Sequence, residues 1–321
     1  MAQTLTSRQV VYTALAGNLL VAVSKGVAAV WTGSSAMMSE AVHSLVDSLN
    51  EVLLLYGQHR ATQRPDREHP LGYGRELYFW SFIVALLIFA IGAGVSIYQG
   101  IAQLREPRPI ESPWVNYIVL AFALVFEGAS WAISLKQFRS TTARGRLTFY
   151  EAFRRSKDPP AFMILFEDSA ALLGILIAAG GTFTATHFQK PEFDGVASLL
   201  IGLVLAAIAM LLARESKSLL IGEGASSELT RSVTQIAAKN PAVLRVNGML
   251  TAQLAPEQIV VALSLKFADD LRVPDLEQRV IEIETSIREQ HSEVTALFVK
   301  PQTPKAFCEA TQDRFGIEGD G

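Results

Sequence analysis

The chain has 321 residues, half of them apolar and only 18% charged, with a mean hydropathy of +0.28, and its apolar residues are too concentrated for a soluble protein of this length. A net charge of −3 is too close to neutral to imply a nucleic-acid partner, no basic cluster carries interleaved aromatics, and no such partner is expected. The single cysteine, Cys308, excludes intrachain disulfides and cysteine-based zinc sites.

Near the N-terminus Arg8 precedes a full-length apolar run, so neither a cleaved signal peptide nor an Arg-rich transit peptide is expected. Lipid offers the backbone no partners, and a helix needs ~20 apolar residues to cross it. Six segments meet this, over roughly 10–31, 35–58, 77–101, 113–138, 161–187 and 194–213. The second is the least apolar, with Glu40, His43, Asp47, Asn50 and Glu51, and is included because its polar residues fall mostly on one side. Positive charge orients the spans. Arg60, Arg64, Arg67 and Arg75 follow the second, six basic residues from Arg139 to Lys157 follow the fourth, and Arg214 and Lys217 follow the sixth. Both termini are therefore expected in the cytoplasm, with a bacterial inner membrane as the simplest location. The basic segment 140–158 reads as a solvated loop near anionic headgroups, or as a short surface helix with Leu147, Phe149, Tyr150 and Phe153 on one face.

From Ser226 the pattern changes. Residues 227–239 read as a helix, Val243–Thr251 and Gln258–Phe267 as strands, Asp275–His291 as a helix and Thr295–Val299 as a last strand. The expected organisation is a six-helix transmembrane domain over 1–224, a small α+β domain over 225–301 and a disordered polar tail over 302–321.

Ionisable groups at membrane depth cost several kcal/mol and so mark function. His43 and Asp47 stand at i, i+4 in Ser39-Glu40-Ala41-Val42-His43-Ser44-Leu45-Val46-Asp47, on one helical face. An imidazole and a carboxylate there suit a divalent first-row metal. A buried His–Asp hydrogen bond joining helices is the competing reading. Glu167 and Asp168 are adjacent and diverge by about 100° on a helix, so one faces the bundle and the other a different neighbour or a water-filled entrance. Glu127 is a third buried acid, either a ligand or a protonated group bonded to a neighbouring helix. Lys25, inside the first span, is expected to pair with one of these acids. Glu51 lines an access path or approaches the interface, and Asn18 and Asn50 read as interhelical hydrogen-bond groups. After the second span, Asp66, His69 and Tyr73 could bind a metal, although Pro70, Gly72 and Gly74 suit a plain structured turn. No nucleophile is paired with a base and no HExxH is present, so no enzyme is expected.

The second-span motif, His69-Pro70-Leu71-Gly72-Tyr73-Gly74-Arg75 after it, and Asp194-Gly195-Val196-Ala197-Ser198 at the sixth span resemble the cation diffusion facilitators over about 10–300. The resemblance implies a homodimeric metal/proton antiporter with six spans and a small cytoplasmic ferredoxin-like domain. In that family the second and fifth spans each give two ligands at i, i+4 to one tetrahedral site. His43 and Asp47 fit the first pair. Aligning Gly174 places Asp168 on the family's carboxylate and Ile164 on its partner, which leaves the site one ligand short. Glu127, Glu167 or water would complete it. This departure, with Lys157-Asp158-Pro159-Pro160 and Phe166-Glu167-Asp168, resembles the branch containing the animal mitochondrial zinc transporter.

The implied activity is proton-coupled efflux of a divalent transition-metal cation across the bilayer by alternating access. Zn is the expected cargo, with Mn or Fe as harder alternatives, and no cofactor besides the cargo is expected. The loop site keeps Asp66 and His69 but has Tyr73 at its second histidine position. The family's C-terminal ligand positions read Val261-Ala262-Leu263-Ser264 and Leu297-Phe298-Val299-Lys300, so no binuclear centre is expected there, and His291 is expected alone and exposed. The alternative is a non-transporting membrane scaffold or metal sensor. Ile164 and the ligand-poor C-terminal domain favour it, and intact His43, Asp47 and Asp168 oppose it.

Overall fold

Long apolar runs whose backbone can satisfy only itself become long helices. The computed structural model describes residues 7–142 and 157–315. Its first elements are α1 (Ser7–Thr32), α2 (Ser35–Ala61), α3 (Glu76–Leu87) continuing through a π-helical turn (Ile88–Ala93) into α4 (Gly94–Arg105), α5 (Pro113–Thr142), α6 (Pro159–His187) and α7 (Glu192–Ile221). Gly33, at φ +70°, makes the reversal between α1 and α2. Pro113 and Pro159 open α5 and α6, where the missing N–H has no intrahelical partner to lose. The basic segment 140–158 lies almost wholly outside the described residues.

Among the described residues, four stretches are long and apolar enough to cross a membrane: Glu76–Arg105, Pro113–Lys136, Phe162–His187 and Glu192–Ile221. Six long helices stand where six spans are expected, but length and composition single out only these four. The reason is visible in α2. Its Ser39, Glu40, His43, Ser44 and Asn50 are all buried among protein neighbours, so its average composition is polar without those groups facing the surroundings. In α1, among the residues whose side chains are described, the apolar stretch runs over Gly17–Thr32.

The chain divides into two compact units, one of residues 1–60 with 76–217, the other of 61–75 with 218 onward. In the first, the segment opening α7 fixes α2. Asp194 is fully buried and accepts from the Ser34 hydroxyl at 2.6 Å and from the Ser35 amide and hydroxyl at 2.5 and 2.9 Å. A carboxylate 159 residues away thus caps the N-terminus of α2 and meets the positive end of its dipole. One residue on, a Cβ at Gly195 would fall 3.0 Å from the Gly100 carbonyl, so α4 and α7 touch backbone to backbone. Ser198 then donates to the Ser96 carbonyl at 3.0 Å and lies 2.5 Å from the Ser39 hydroxyl.

In the second unit, α8 (Ser227–Ala238) is capped by Ser226, whose hydroxyl accepts from the Leu229 amide at 3.2 Å. It is followed by β1 (Val243–Ala255), β2 (Gln258–Phe267), α9 (Val273–Gln290) and β3 (Val294–Pro301). The sheet order is β1-β2-β3, with β2 antiparallel to β1 and parallel to β3 across α9. Val233 and Leu229 of α8 and Ile283 and Ile287 of α9 bury against Val261, Leu263 and Leu265 of the central strand. The helices and strands of this α+β unit lie where the sequence pattern predicts them. Two expectations do not hold. A disordered tail is expected over 302–321, whereas among the described residues α10 (Pro304–Phe315) is a helix whose Phe307 ring covers Gly248, where any Cβ would overlap it. Thr311, one turn on, is buried as well. His291, expected alone and exposed, is largely buried, with Nε2 2.8 Å from the Ser232 hydroxyl and Nδ1 3.2 Å from Glu293.

Candidate metal centre

Helical spacing puts His43 and Asp47 one turn apart on α2, and the structure keeps them together. His43 is 1% exposed and Asp47 21%, with Nδ1 and Oδ1 3.2 Å apart. The contact is not aligned as a hydrogen bond, so both imidazole nitrogens and Asp47 Oδ1 are buried without a hydrogen-bond partner. Groups left so are unfavourable by about 1–3 kcal/mol each. A divalent ion is the ligand that such a nitrogen and oxygen pair would take.

On α6 the two neighbouring acids diverge. Glu167 Oε1 accepts from the Asn50 amide of α2 at 3.1 Å. Asp168 Oδ2 instead faces α5 and accepts from the hydroxyls of Ser134 at 2.9 Å and Ser130 at 3.3 Å. Sequence reasoning missed these serines, although their i, i+4 spacing on an apolar helix was a signal for them. Asn18 of α1 donates to Glu51 at 3.1 Å, so both asparagines join helices.

Two cavities gather the acids. The larger, about 500 Å³, is bordered by Asp47, Glu51, Glu167, Asp168 and Ile164. The smaller, about 40 Å³, is bordered by Ser44, Asp47, Glu127 and Asp168. Asp47 and Asp168 belong to both, so α2 and α6 do converge. Ile164 contributes no donor to the wall it shares with Asp168. Among the described residues, no three acid, histidine or cysteine side chains stand close enough to hold one ion together. Asp47, Glu127, Glu167 and Asp168 thus border these cavities, whereas His43 borders neither and stands beside Asp47.

Glu127 is bonded to a neighbouring helix, α1, through Lys25. Its Oε1 is 2.7 Å from the ammonium of Lys25, which is fully buried and also bonds Glu40 Oε2 and the Ser44 hydroxyl at 2.9 Å each. The depth of Lys25 made a partner necessary, but which acids it would take was not readable from spacing. Glu40, read only as flanking, proves one of the most enclosed acids in the chain at 0% exposure.

The loop residues are arranged as a turn. Asp66 Oδ1 accepts from the amides of Glu68 and His69 at 2.9 and 2.7 Å, and Oδ2 accepts from the Tyr73 hydroxyl at 2.6 Å. The His69 ring stacks on Tyr73 at 4.3 Å, with Nδ1 3.5 Å from Asp66. The carboxylate that would bind a metal is already committed to its own loop. The Tyr73 hydroxyl, and then the backbone amides, hold the Asp66 carboxyl below its ordinary range. A depressed acid stabilises the loop above its unfolded pKa and loses that contribution as pH falls through its folded one. Tyr73→Phe should therefore raise the Asp66 midpoint in a carboxyl ¹³C NMR titration of the full chain. An unmoved midpoint would show that the hydroxyl is not its main partner.

The cation efflux transmembrane domain family model matches residues 11–221, a stretch that holds α2, α5 and α6 with His43, Asp47, Glu127 and Asp168. The proton-coupled zinc antiporter SLC30A9, mitochondrial, of Mus musculus is 35% identical over 246 residues, 77% of this chain and 43% of that protein. Metal tolerance protein C4 of Arabidopsis thaliana is 33% identical over 217 residues, 67% of this chain and 47% of that protein. The manganese efflux system protein MneP of Bacillus subtilis is 22% identical over 297 residues, 91% of this chain and 95% of that protein. The chain therefore spans less than half the length of the first two relatives. With the family model covering well over half of it, and with the likeness to the animal mitochondrial zinc antiporter, this chain belongs to the cation efflux, or cation diffusion facilitator, family.

Proposed function

We propose that this chain crosses a membrane six times and exports a divalent transition-metal cation in exchange for protons, by alternating access. The observation that carries the reading is the buried His43–Asp47 pair with both ring nitrogens and Asp47 Oδ1 unpartnered, beside a cavity shared with Asp168. Asp47 and Asp168 draw onto the ion from α2 and α6, with Glu127 or Glu167 as further ligands. Protons and metal compete for the same lone pairs, so loading one side with protons releases the ion there. Imidazole ordinarily titrates nearest neutrality, which makes His43 the proton carrier. Zinc is the cargo that the mitochondrial relative's name supports, while the acid-rich cavity and the manganese relative favour Mn, with Fe of similar hardness. The arginine distribution supports cytoplasmic termini, the family resemblance a homodimer, and the simplest membrane is a bacterial inner one.

The second reading, a scaffold or sensor that no longer transports, is favoured by Ile164 and by the lack of a three-ligand group among the described residues. One experiment separates the two. Full-length chain in proteoliposomes, given a pH gradient and Zn²⁺, Mn²⁺, Fe²⁺ or Co²⁺ in turn, should move one or more of these ions with counterflow of protons. Saturable metal binding with no flux of any ion would favour the sensor.

A further inference from the structure

Lys25 uses all three of its ammonium hydrogens on protein. It bonds Glu40 Oε2 at 2.9 Å, Ser44 Oγ at 2.9 Å and Glu127 Oε1 at 2.7 Å, so one cation on α1 joins α2 and α5. Two of those partners, Ser44 and Glu127, also border the small cavity with Asp47 and Asp168. Lys25 itself does not border it. The ammonium therefore sits directly behind the wall, and it holds Glu127 by one oxygen only. The other, Oε2, is buried with no hydrogen-bond partner, as is Asp47 Oδ1 of the same cavity.

This is the relation of an outer-shell group to a metal ligand. A carboxylate that binds an ion through one oxygen is oriented by a donor on the other, and the donor also lowers the charge the cavity must tolerate when no ion is present. We propose that Lys25 is the positioning residue of the transport site, fixing Glu127 so that its free oxygen serves where Ile164 offers none. The inference rests on the transport reading above. Asp47, Asp168 and Glu127, which border the small cavity, then give the ion one oxygen from each of three helices. Lys25 never touches the ion. It acts through Glu127.

The test is Co²⁺ binding to the detergent-solubilised full chain, read as affinity and as the visible ligand-field spectrum. Lys25→Met and Glu127→Gln should each weaken binding by about 10–100-fold and alter the spectrum in the same direction. Because Lys25 acts through Glu127, the double variant should be no weaker than Glu127→Gln alone. Lys25→Arg, which keeps the charge and the donors, should recover part of the affinity. A purely structural role predicts a lower melting temperature for Lys25→Met with an unchanged spectrum, and that result overturns the proposal. If Lys25→Met does not fold, Glu127→Gln still decides, since it leaves Lys25 paired with Glu40. Wild-type binding by Glu127→Gln, with His43→Ala and Asp47→Ala impaired, defeats the Lys25 proposal and spares the transport site. Wild-type binding by all of them defeats the transport reading itself.

Discussion

Asp47→Ala should abolish proton-driven metal flux in proteoliposomes, lowering it by about a hundredfold or more, and His43→Ala should do nearly the same. Changes to groups that merely support a metal ligand already cost 10–100-fold, and these two would remove ligands outright. Asp47 is the more sensitive of the pair, because it borders both cavities and His43 borders neither. The folded fraction, followed by size-exclusion chromatography in detergent, should stay near wild type, since truncating an already unmatched polar group loses no hydrogen bond. Vesicles of either variant that still concentrate Zn²⁺ or Mn²⁺ against a pH gradient would show that the site lies elsewhere.

The second large effect is on stability. A Cβ at Gly174 would overlap the Glu40 carboxylate, which is fully enclosed and bonded to Lys25. The overlapping oxygen is Oε1, which has no hydrogen-bond partner, while Lys25 holds Oε2, so Gly174→Val forces the enclosed carboxylate to turn and overpacks the contact between α2 and α6. Overpacking an enclosed site costs about 1–3 kcal/mol. Gly180→Val, on the same helix with nothing within 4 Å of an added Cβ, is the control. It should stay within about 0.5 kcal/mol of wild type. Equal melting temperatures for the two variants would mean that the Glu40 contact carries no load.

Local patterns were readable from the residues and long-range ones were not. The i, i+4 pairing of His43 and Asp47 follows from helix geometry, and so does the divergence of Glu167 and Asp168, which the structure sends to Asn50 and to Ser130 and Ser134 respectively. The strands and helices of 227–301 followed from alternation and turn residues. By contrast, the docking of α10 turns on Phe307 meeting Gly248, two residues whose pairing no periodicity announces. The composition around Asp66 suits a turn and a metal site alike, and the three hydrogen bonds that Asp66 accepts within its own loop favour the turn.

By itself the sequence determined which residues could serve an ion, because helical repeat and membrane cost are properties of single segments. It placed His43 and Asp47 on one face, marked Glu127, Glu167 and Asp168 as acids too deep to be idle, and required that Lys25 have a partner. Only the tertiary structure decided how they combine. Which acids Lys25 holds, that α2 is capped by Asp194, and that Asp47, Glu127 and Asp168 border one cavity all depend on contacts between helices far apart in the chain. Each helix can turn about its own axis without changing its sequence pattern. The rotation and depth at which it stops are set by its neighbours, and those set the site.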